Sequence, residues 1–218
     1  LHSELRIQRV NAINGALIGA STWIRNSPTV IATKVAYSPT SDSYLLVWED
    51  QATVPWPVYG LRLNSTAGSV GSIFNISNGT YKYAGDPAIA HNSVNNEYLV
   101  TFNTYYEPDP GNTCWNLFAQ RVRASDGALL GGNITIGATT ECESGASVAY
   151  DSNMNRYLVV YEGGATRPWG QFVSNTGTLV GARFDIGVGA FNGGMSGVAW
   201  NSLTREWFVT WASCCSAD

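Results

Sequence analysis

The sequence predicts an all-β fold, a four-bladed β-propeller, and two observations predict it. The first is composition: the 218-residue chain is 44% hydrophobic and only 13% charged, with 8 Trp, 11 Tyr and 23 Gly. Aromatic and β-branched residues favour strands, and glycine favours tight turns. The second is an internal repeat in which each unit contains four strands, which is the pattern of a propeller blade.

The first half of each unit is a short strand, a polar turn, and a second strand of aromatic and aliphatic residues. These halves are VAYSPTSDSYLLVWED from Val35, IAHNSVNNEYLVTFNT from Ile89, VAYDSNMNRYLVVYEG from Val148 and VAWNSLTREWFVTWAS from Val198. The innermost strand of a propeller is crowded at the axis, which favours the small side chains of Ala36, Ala90, Ala149 and Ala199. The aromatic residues Tyr44, Tyr98, Tyr157 and Trp207 are expected to pack between neighbouring blades.

The second half of each unit is a hairpin. Three such halves are YGLRLNSTAGSVGSIFNIS, FAQRVRASDGALLGGNITIG and WGQFVSNTGTLVGARFDIG, which turn at Gly68, Gly127 and Gly177. The fourth unit stops after two strands, and the opening stretch RIQRVNAINGALIGASTWI aligns with the missing half through Gly15. We therefore expect one domain over 1–218. Its first three blades lie at about 30–78, 86–138 and 145–188, and 196–213 and 5–25 complete the fourth. Such closure removes an open sheet edge.

Charge and motifs exclude several classes of function. The net charge is −4 and there is no Lys/Arg cluster, so a nucleic-acid footprint is absent. The longest apolar runs are about five residues, far short of the roughly 20 that cross a bilayer. The cysteines fit no metal pattern and no Ca²⁺ loop is present, so we expect neither a metal nor a cofactor.

The blade sequence YLVVY, WGQFVSNTGTLVG, FDIG resembles the repeats of secreted, mainly bacterial β-propeller proteins. The resemblance covers nearly the whole chain. It implies an extracellular or cell-surface setting, which agrees with an even number of cysteines and few lysines. It implies no particular chemistry, because the function of these proteins is largely unassigned and propellers host lectins, adhesins, scaffolds and enzymes.

The longer connections of the predicted propeller map to one face, and so do the cysteines. Cys114 and Cys142 are plausible disulfide partners, whereas Cys214 and Cys215 could bond to each other, reach a partner chain or remain free. Glycosylation sequons begin at Asn64, Asn75, Asn78 and Asn133. About three would arise by chance at this content of Asn, Ser and Thr, so they carry little weight.

Aromatic residues of the same loops are the candidates for ligand binding, because flat rings beside polar groups suit sugar stacking and protein interfaces. They are Trp56, Tyr59, Tyr105, Tyr106, Trp115 and Trp169. Tyr59, Phe118 and Trp169 occupy equivalent repeat positions, so the alternative for these three is that they cap the blades. Trp115 and Tyr105 have no repeat counterparts, which favours a specific role.

Catalytic residues are sparse in the sequence. Of the two histidines, His91 occupies a position held by Tyr37 and Tyr150 in other repeats, which predicts a packed strand residue. Glu49 and Glu162 end their second strands where a solvated loop is expected to begin. Four further acids, Glu107, Asp109, Glu141 and Glu143, concentrate negative charge on the loop face, where a cation could bind weakly without a defined metal site.

The sequence therefore favours a secreted, non-catalytic recognition or adhesion module that binds glycans through its aromatic loops. The alternative is a structural protomer of an extracellular filament, formed by exchange of the N-terminal hairpin, and a glycoside-active enzyme is less favoured. The expected partners are a glycan or protein on the loop face and a second copy of the chain.

Overall fold

The computed structural model describes residues 3–27, 29–52, 54–78, 81, 83–105, 114–164, 167–187 and 197–212. These residues form sixteen β-strands and no helix, as the composition predicts. The strands are β1 (Ser3–Val10), β2 (Leu17–Ser27), β3 (Val30–Ser38), β4 (Ser43–Asp50), β5 (Val58–Asn64), β6 (Ser69–Asn75), β7 (Tyr83–Asn92), β8 (Glu97–Tyr105), β9 (Asn116–Arg123), β10 (Leu129–Gly137), β11 (Ser144–Asp151), β12 (Arg156–Gly163), β13 (Arg167–Ser174), β14 (Leu179–Asp185), β15 (Gly197–Asn201) and β16 (Glu206–Thr210).

Twelve of the strands form three antiparallel sheets of four, in which every strand pairs with its neighbour in sequence. Blade 1 contains β3–β6, blade 2 contains β7–β10 and blade 3 contains β11–β14. The first strand of each blade packs against the first strand of the next, in the order β3, β7, β11 and β15. The repeat therefore gives an all-β, propeller-type arrangement in which the first strands are innermost.

The second strands form the core. Strands β4, β8 and β12 are buried on both faces, because each blade is covered by its neighbours. Tyr98 and Tyr157 are at most 1% exposed and lie between blades. The Tyr98 hydroxyl donates to the carbonyl of Ser43 in blade 1 at 3.3 Å, which gives its polar end a partner inside the interface.

The hairpin turns follow the sequence in three of four cases. Gly15, Gly127 and Gly177 adopt φ values of 71°, 81° and 89°, the left-handed region that glycine enters without steric cost. In the remaining hairpin the left-handed residue is Ala67, with a φ of 70°, directly before Gly68.

The predicted fourth blade is not assembled in this structure. Strands β1 and β2 form one two-stranded sheet and β15 and β16 form another, so the three blades make an open arc and a count of four is not established. Each hairpin is held by its own neighbour: Leu5 of β1 joins the blade 1 cluster that contains Leu46 and Leu61, whereas β15 packs on β11 of blade 3. The two halves therefore lie at opposite ends of the arc.

Candidate active site

The loop face is the side on which the first strands of the blades begin and the second strands end. Each first strand is interrupted there by a bulge that shifts its pairing with the second strand. The residues at the bulge are Ala32, Asp86 and Gly145, which lie four positions before the alanines of the repeat and have φ values of 51°, 48° and 59°. Bulges and left-handed non-glycine residues are enriched at functional sites. Asp86 is the carboxyl-bearing member of this set.

Neighbouring residues fix the backbone around Asp86. Its N–H donates to Oε2 of Glu49 at 3.0 Å, across the interface between blades 1 and 2. The amide of Gln51 donates to the other oxygen of Glu49. A methyl group at Gly85 would overlap this carboxyl group, so glycine at this position allows the close approach, and a larger residue would displace the end of the Glu49 side chain. Glu49 is only 7% exposed, which contradicts its predicted place at the start of a solvated loop.

Burial raises the pKa of the Asp86 carboxyl above its ordinary value, because the charged form is poorly solvated there. Lys34, an exposed residue of the neighbouring inner strand β3, acts in the opposite direction through its positive charge. A carboxyl group that retains its proton to higher pH, with a cation nearby to stabilise the carboxylate, can serve as a proton donor.

An aromatic row lies on the same face, and we define it as Trp56, Tyr83, Tyr105 and Trp115. Ring centroids are 4.5 Å apart for Trp56 and Tyr83, 5.9 Å for Tyr83 and Tyr105, and 5.7 Å for Tyr105 and Trp115. Trp115 is the most open of the four, at 37% exposed. Tyr83 of this row and Asp86 both lie on β7, three residues apart, so the row and the bulge share one strand.

The disulfide between Cys114 and Cys142 holds the end of this row, and the pairing is the one the sequence suggested. It joins the connection that leads into β9 to the connection between blades 2 and 3. The N–H of Glu143 donates to the carbonyl of Trp115 at 2.8 Å, which adds a second tie next to the disulfide. Trp115 is thereby attached to the scaffold on both sides.

Two other predicted aromatic residues have packing roles. Tyr59 lies against Trp48, with the Arg25 guanidinium 5.3 Å from its ring centroid. Trp169 donates from Nε1 to the carbonyl of Gly163 at 3.0 Å, and Arg183 stacks on its ring. These contacts agree with the alternative that the two residues cap their blades. Tyr106, Cys214 and Cys215 lie outside the described residues.

Three of the remaining polar candidates form contacts that stabilise the fold. His91 packs on Tyr98 with ring centroids 5.1 Å apart, and burial lowers its pKa. Glu141 pairs with Arg183 at 2.9 Å, and the buried Glu143 accepts hydrogen bonds from Thr139.

Glu162, half-buried at the position equivalent to Glu49, does not join the Asp86 group. Glu107 and Asp109 lie outside the described residues. Within the described part of the chain, no three metal-ligating side chains gather where they could hold an ion.

Sequence reasoning missed Asp86 and Tyr83. A signal was present, because Asp86 is followed by a proline and replaces the alanine and glycine of the equivalent positions, so it departs from the repeat. The bulge at Asp86 arises from the pairing of β7 with β8, and the sequence pattern does not predict that register shift.

The fold and this site define a propeller-type all-β protein with a carboxyl group at an inner-strand bulge. No protein-family model and no curated protein matches the chain. Similar solved structures are the endo-arabinase of Bacteroides thetaiotaomicron (13% identity, TM-score 0.55, covering 83% of this chain and 69% of that one), a Hadza microbial sialidase (12%, 0.58, 79% and 40%) and the sialidase of Trypanosoma rangeli (8%, 0.56, 97% and 38%). The chain thus spans two fifths or less of each sialidase.

These neighbours correct the functional expectation. They are glycoside hydrolases, which overturns the prediction that the chain is a non-enzymatic recognition module or a filament protomer. At 8 to 13% identity the likeness establishes the fold.

Proposed function

We propose that this chain is a glycoside-active enzyme domain in which Asp86 donates a proton to the glycosidic oxygen of a carbohydrate bound on the loop face. The observation that carries the proposal is the position of Asp86: it is the carboxyl-bearing residue among the three inner-strand bulges, and it lies on β7, the strand that also carries Tyr83 of the aromatic row. The fold that the chain shares with an endo-arabinase and with sialidases supports this reaction class.

The residues around Asp86 have distinct parts in this scheme. Hydrolysis of a glycosidic bond requires a carboxylic acid that protonates the departing oxygen while the bond to the sugar carbon breaks. A water molecule then forms the new bond to that carbon and gives its proton to a base. Asp86 supplies that proton, and the positive charge of Lys34 stabilises the carboxylate that remains. Glu49 is a positioning residue, because it holds the Asp86 backbone and does not need to touch the substrate.

The aromatic row supplies the sugar platform. Sugar rings have apolar faces that stack on flat side chains, and tyrosine hydroxyls at the edge of such a row can bind sugar hydroxyls. A row of four rings extends over several sugar units, which suits a chain substrate running across blades 1 and 2.

The test is hydrolysis of arabinan and of sialyllactose, measured as released sugar, with Asp86→Asn as the key variant. We expect turnover to fall about a hundredfold or more, the usual range for loss of a general acid. Asp126→Asn is the matched control, because Asp126 lies in the β9–β10 turn and pairs with Arg123. Equal activity of the two variants, or no release of sugar by the unmodified protein from either substrate, would contradict the proposal.

We place this activity outside the cytosol. The Cys114–Cys142 disulfide supports this setting, because such bonds persist in oxidising compartments. The described residues include no helix with the length and apolar character required to cross a bilayer.

The fourth blade belongs to the same proposal. The β1–β2 hairpin has the sequence of the second half of a repeat unit, and the β15–β16 hairpin has that of the first half. The sequence pattern therefore favours pairing between the free edge of a β16 strand and the free edge of a β1 strand. A four-stranded blade results wherever these two edges meet.

A further inference from the structure

In the part of the chain that the structure describes, β1 and β16 each have one edge without a strand beside it. Within the described residues β1 pairs with β2 alone and β16 with β15 alone. In the three complete blades the corresponding edges are joined to each other, as β4 to β5, β8 to β9 and β12 to β13. Open edges of this kind are templates for pairing with another strand.

Equivalent side chains show what the open edge of β16 lacks. Phe208 is 72% exposed, whereas Leu45, Leu99 and Leu158, which occupy its position in the complete blades, are at most 2% exposed. A large aromatic side chain stands in solvent at a place that the fold otherwise buries completely. Removal of such a side chain from water on pairing favours association.

The edge of β1 shows the same contrast. Val10 is 56% exposed, whereas its counterparts Val122 and Val173 are fully buried. Gln8 donates to the carbonyls of Ile18 and Gly19, the same bonds that the buried Gln120 makes across its own hairpin, yet Gln8 is exposed. The hairpin thus already has the internal bonding of a complete blade and lacks its cover.

Two clefts mark the places of the missing half-blades. A cleft of about 780 Å³ lies between β1 and blade 1, with Gln8, Val10 and Tyr44 among its lining residues. A second, of about 410 Å³, lies between β16 and blade 3, with Phe172 and Trp207 in its lining. The first cleft lies where the first two strands of a blade would sit beside the β1–β2 hairpin. The second cleft lies where the last two strands of a blade would sit beside the β15–β16 hairpin.

An ion pair of blade 2 shows that the two edges are chemically matched. Arg121 of β9 binds both carboxylate oxygens of the buried Glu97 on β8, at 3.0 and 2.7 Å. The residues at these repeat positions are Arg9 on β1 and Glu206 on β16. Both are exposed, and neither forms an ion pair with another described residue.

In the other blades, the positions equivalent to Glu97 and Arg121 hold other pairs of residues. The contact between the second and third strands therefore differs from blade to blade. In blade 3 the pair is Arg156 and Phe172, with the guanidinium 4.0 Å from the ring centroid. Opposite charges on β1 and β16 therefore single out these two edges as partners for each other.

We propose that β16 of one molecule pairs with β1 of a second copy of this chain, in the register that blade 2 uses. The pairing of Tyr98 with Val122 and of Val100 with Gln120 in blade 2 places Trp207 opposite Val10 and Val209 opposite Gln8. This register joins Glu206 to Arg9 and covers Phe208.

A second copy is the occupant because both hairpins are docked at opposite ends of the arc. A neighbouring molecule can add its edge without detaching either hairpin. Two copies related by a twofold axis satisfy both edges of each molecule and give a closed pair, the commonest oligomer symmetry.

The test uses charge reversal on the full chain. Arg9→Glu places two acids at each contact of a pair, and Glu206→Arg places two bases there, so each variant alone is expected to dimerise at least about thirtyfold more weakly than the unmodified protein. An equimolar mixture restores opposite charges at both contacts of the mixed pair. Sedimentation velocity between 1 and about 200 µM, with thermal melts to confirm folding, measures the dissociation constants.

Recovery of dimer in the mixture to within about threefold of the unmodified protein supports pairing between copies. Two results overturn it. One is an unmodified protein that remains monomeric over the whole concentration range. The other is a double variant, Arg9→Glu with Glu206→Arg in one chain, that recovers thermal stability while the mixture does not, because that result requires pairing within a single chain. The substituted residues, Arg9 and Glu206, have no part in the proposed hydrolysis and the readout is association, so loss of the proposed glycosidase activity leaves this test unaffected.

Discussion

Asp86 shows how a single residue acquires chemistry from its place in a repeat. The same bulge is occupied by alanine in blade 1 and glycine in blade 3, and in neither case does it bear an ionisable group. In blade 2 the left-handed residue bears a half-buried carboxyl group that is influenced by Lys34, and Glu49 binds its backbone N–H. Such a residue is expected to cost stability, because its charged form is poorly solvated.

Replacement of Asp86 should increase the stability of the protein by an amount that depends on pH. The folded pKa of Asp86 is raised above its ordinary value of 3.8, so the folded state retains the proton longer than the unfolded chain. Stability of the unmodified protein therefore falls as the pH rises through the window that begins at 3.8. Asp86→Asn removes this loss and should raise the Tm at pH 7, with the difference vanishing as the pH falls below 3.8.

Asp126→Asn is the control of opposite sign. Hydrogen bonds from the Ala128 backbone and Arg123 lower the pKa of Asp126, so its contribution to stability is present at neutral pH and is lost on acidification. This variant should lower the Tm at pH 7. Thermal melts from pH 3 to pH 8 measure both; a gain for Asp86→Asn that does not change with pH would contradict the burial argument.

The aromatic row predicts a residue-specific loss of carbohydrate binding. Trp115→Ala removes the most open ring of the row and should weaken binding of arabinan fragments or sialyllactose to the inactive Asp86→Asn protein about tenfold. Trp23→Ala is the control, because Trp23 is 52% exposed on β2 and lies outside the row. Isothermal titration that finds the same loss for both variants would show that the row has no special role.

At the scale of elements, the disulfide links the loop that carries Trp115 to the connection between blades 2 and 3. The crosslink spans 28 positions in sequence, and in the loop-entropy model it contributes about 3 kcal/mol. Its position beside Trp115 couples stability to the aromatic row, since the loop entering β9 is anchored at this point.

Replacement of both cysteines by serine tests this coupling. We expect the Tm to fall by about 6–12 °C, since 1 kcal/mol corresponds to about 2–4 °C for a domain of this size. Carbohydrate affinity should fall as well, because Trp115 loses one of its two ties. Calorimetry and titration on the same sample separate the effects, and an unchanged Tm would show that the connection is held without the crosslink.

At the scale of the whole molecule, the arc has two incomplete ends, and their edge strands carry residues of opposite charge, Arg9 and Glu206. Each end is stabilised by its own neighbour, so the chain can fold as an arc and still present open edges. This arrangement makes stability depend on protein concentration, because association stabilises the folded state by mass action.

Dilution therefore offers a measurement that needs no mutation. A tenfold dilution should lower the Tm by about 1–3 °C while the pair is the dominant species. In Arg9→Glu the Tm should be nearly independent of concentration, because dimerisation is weakened. A Tm of the unmodified protein that stays constant from 1 to about 200 µM would contradict the association.

The sequence by itself determined the repeat, the strands, the innermost alanines, the buried tyrosines and the Cys114–Cys142 pair. These follow from patterns that recur along the chain, because side chains alternate across a strand and equivalent positions meet equivalent environments. The repeat pattern also predicts that the two ends of the chain are halves of one unit.

Only the tertiary structure decided where those halves lie and which carboxyl group carries chemistry. Docking of each hairpin on its own neighbour depends on packing free energy between Leu5 and blade 1 and between β15 and β11, which no local pattern encodes. The position of Asp86 depends on a register shift between β7 and β8 and on Glu49 reaching across from blade 1. Such contacts join residues 37 positions apart, and their geometry exists only once the blades have packed.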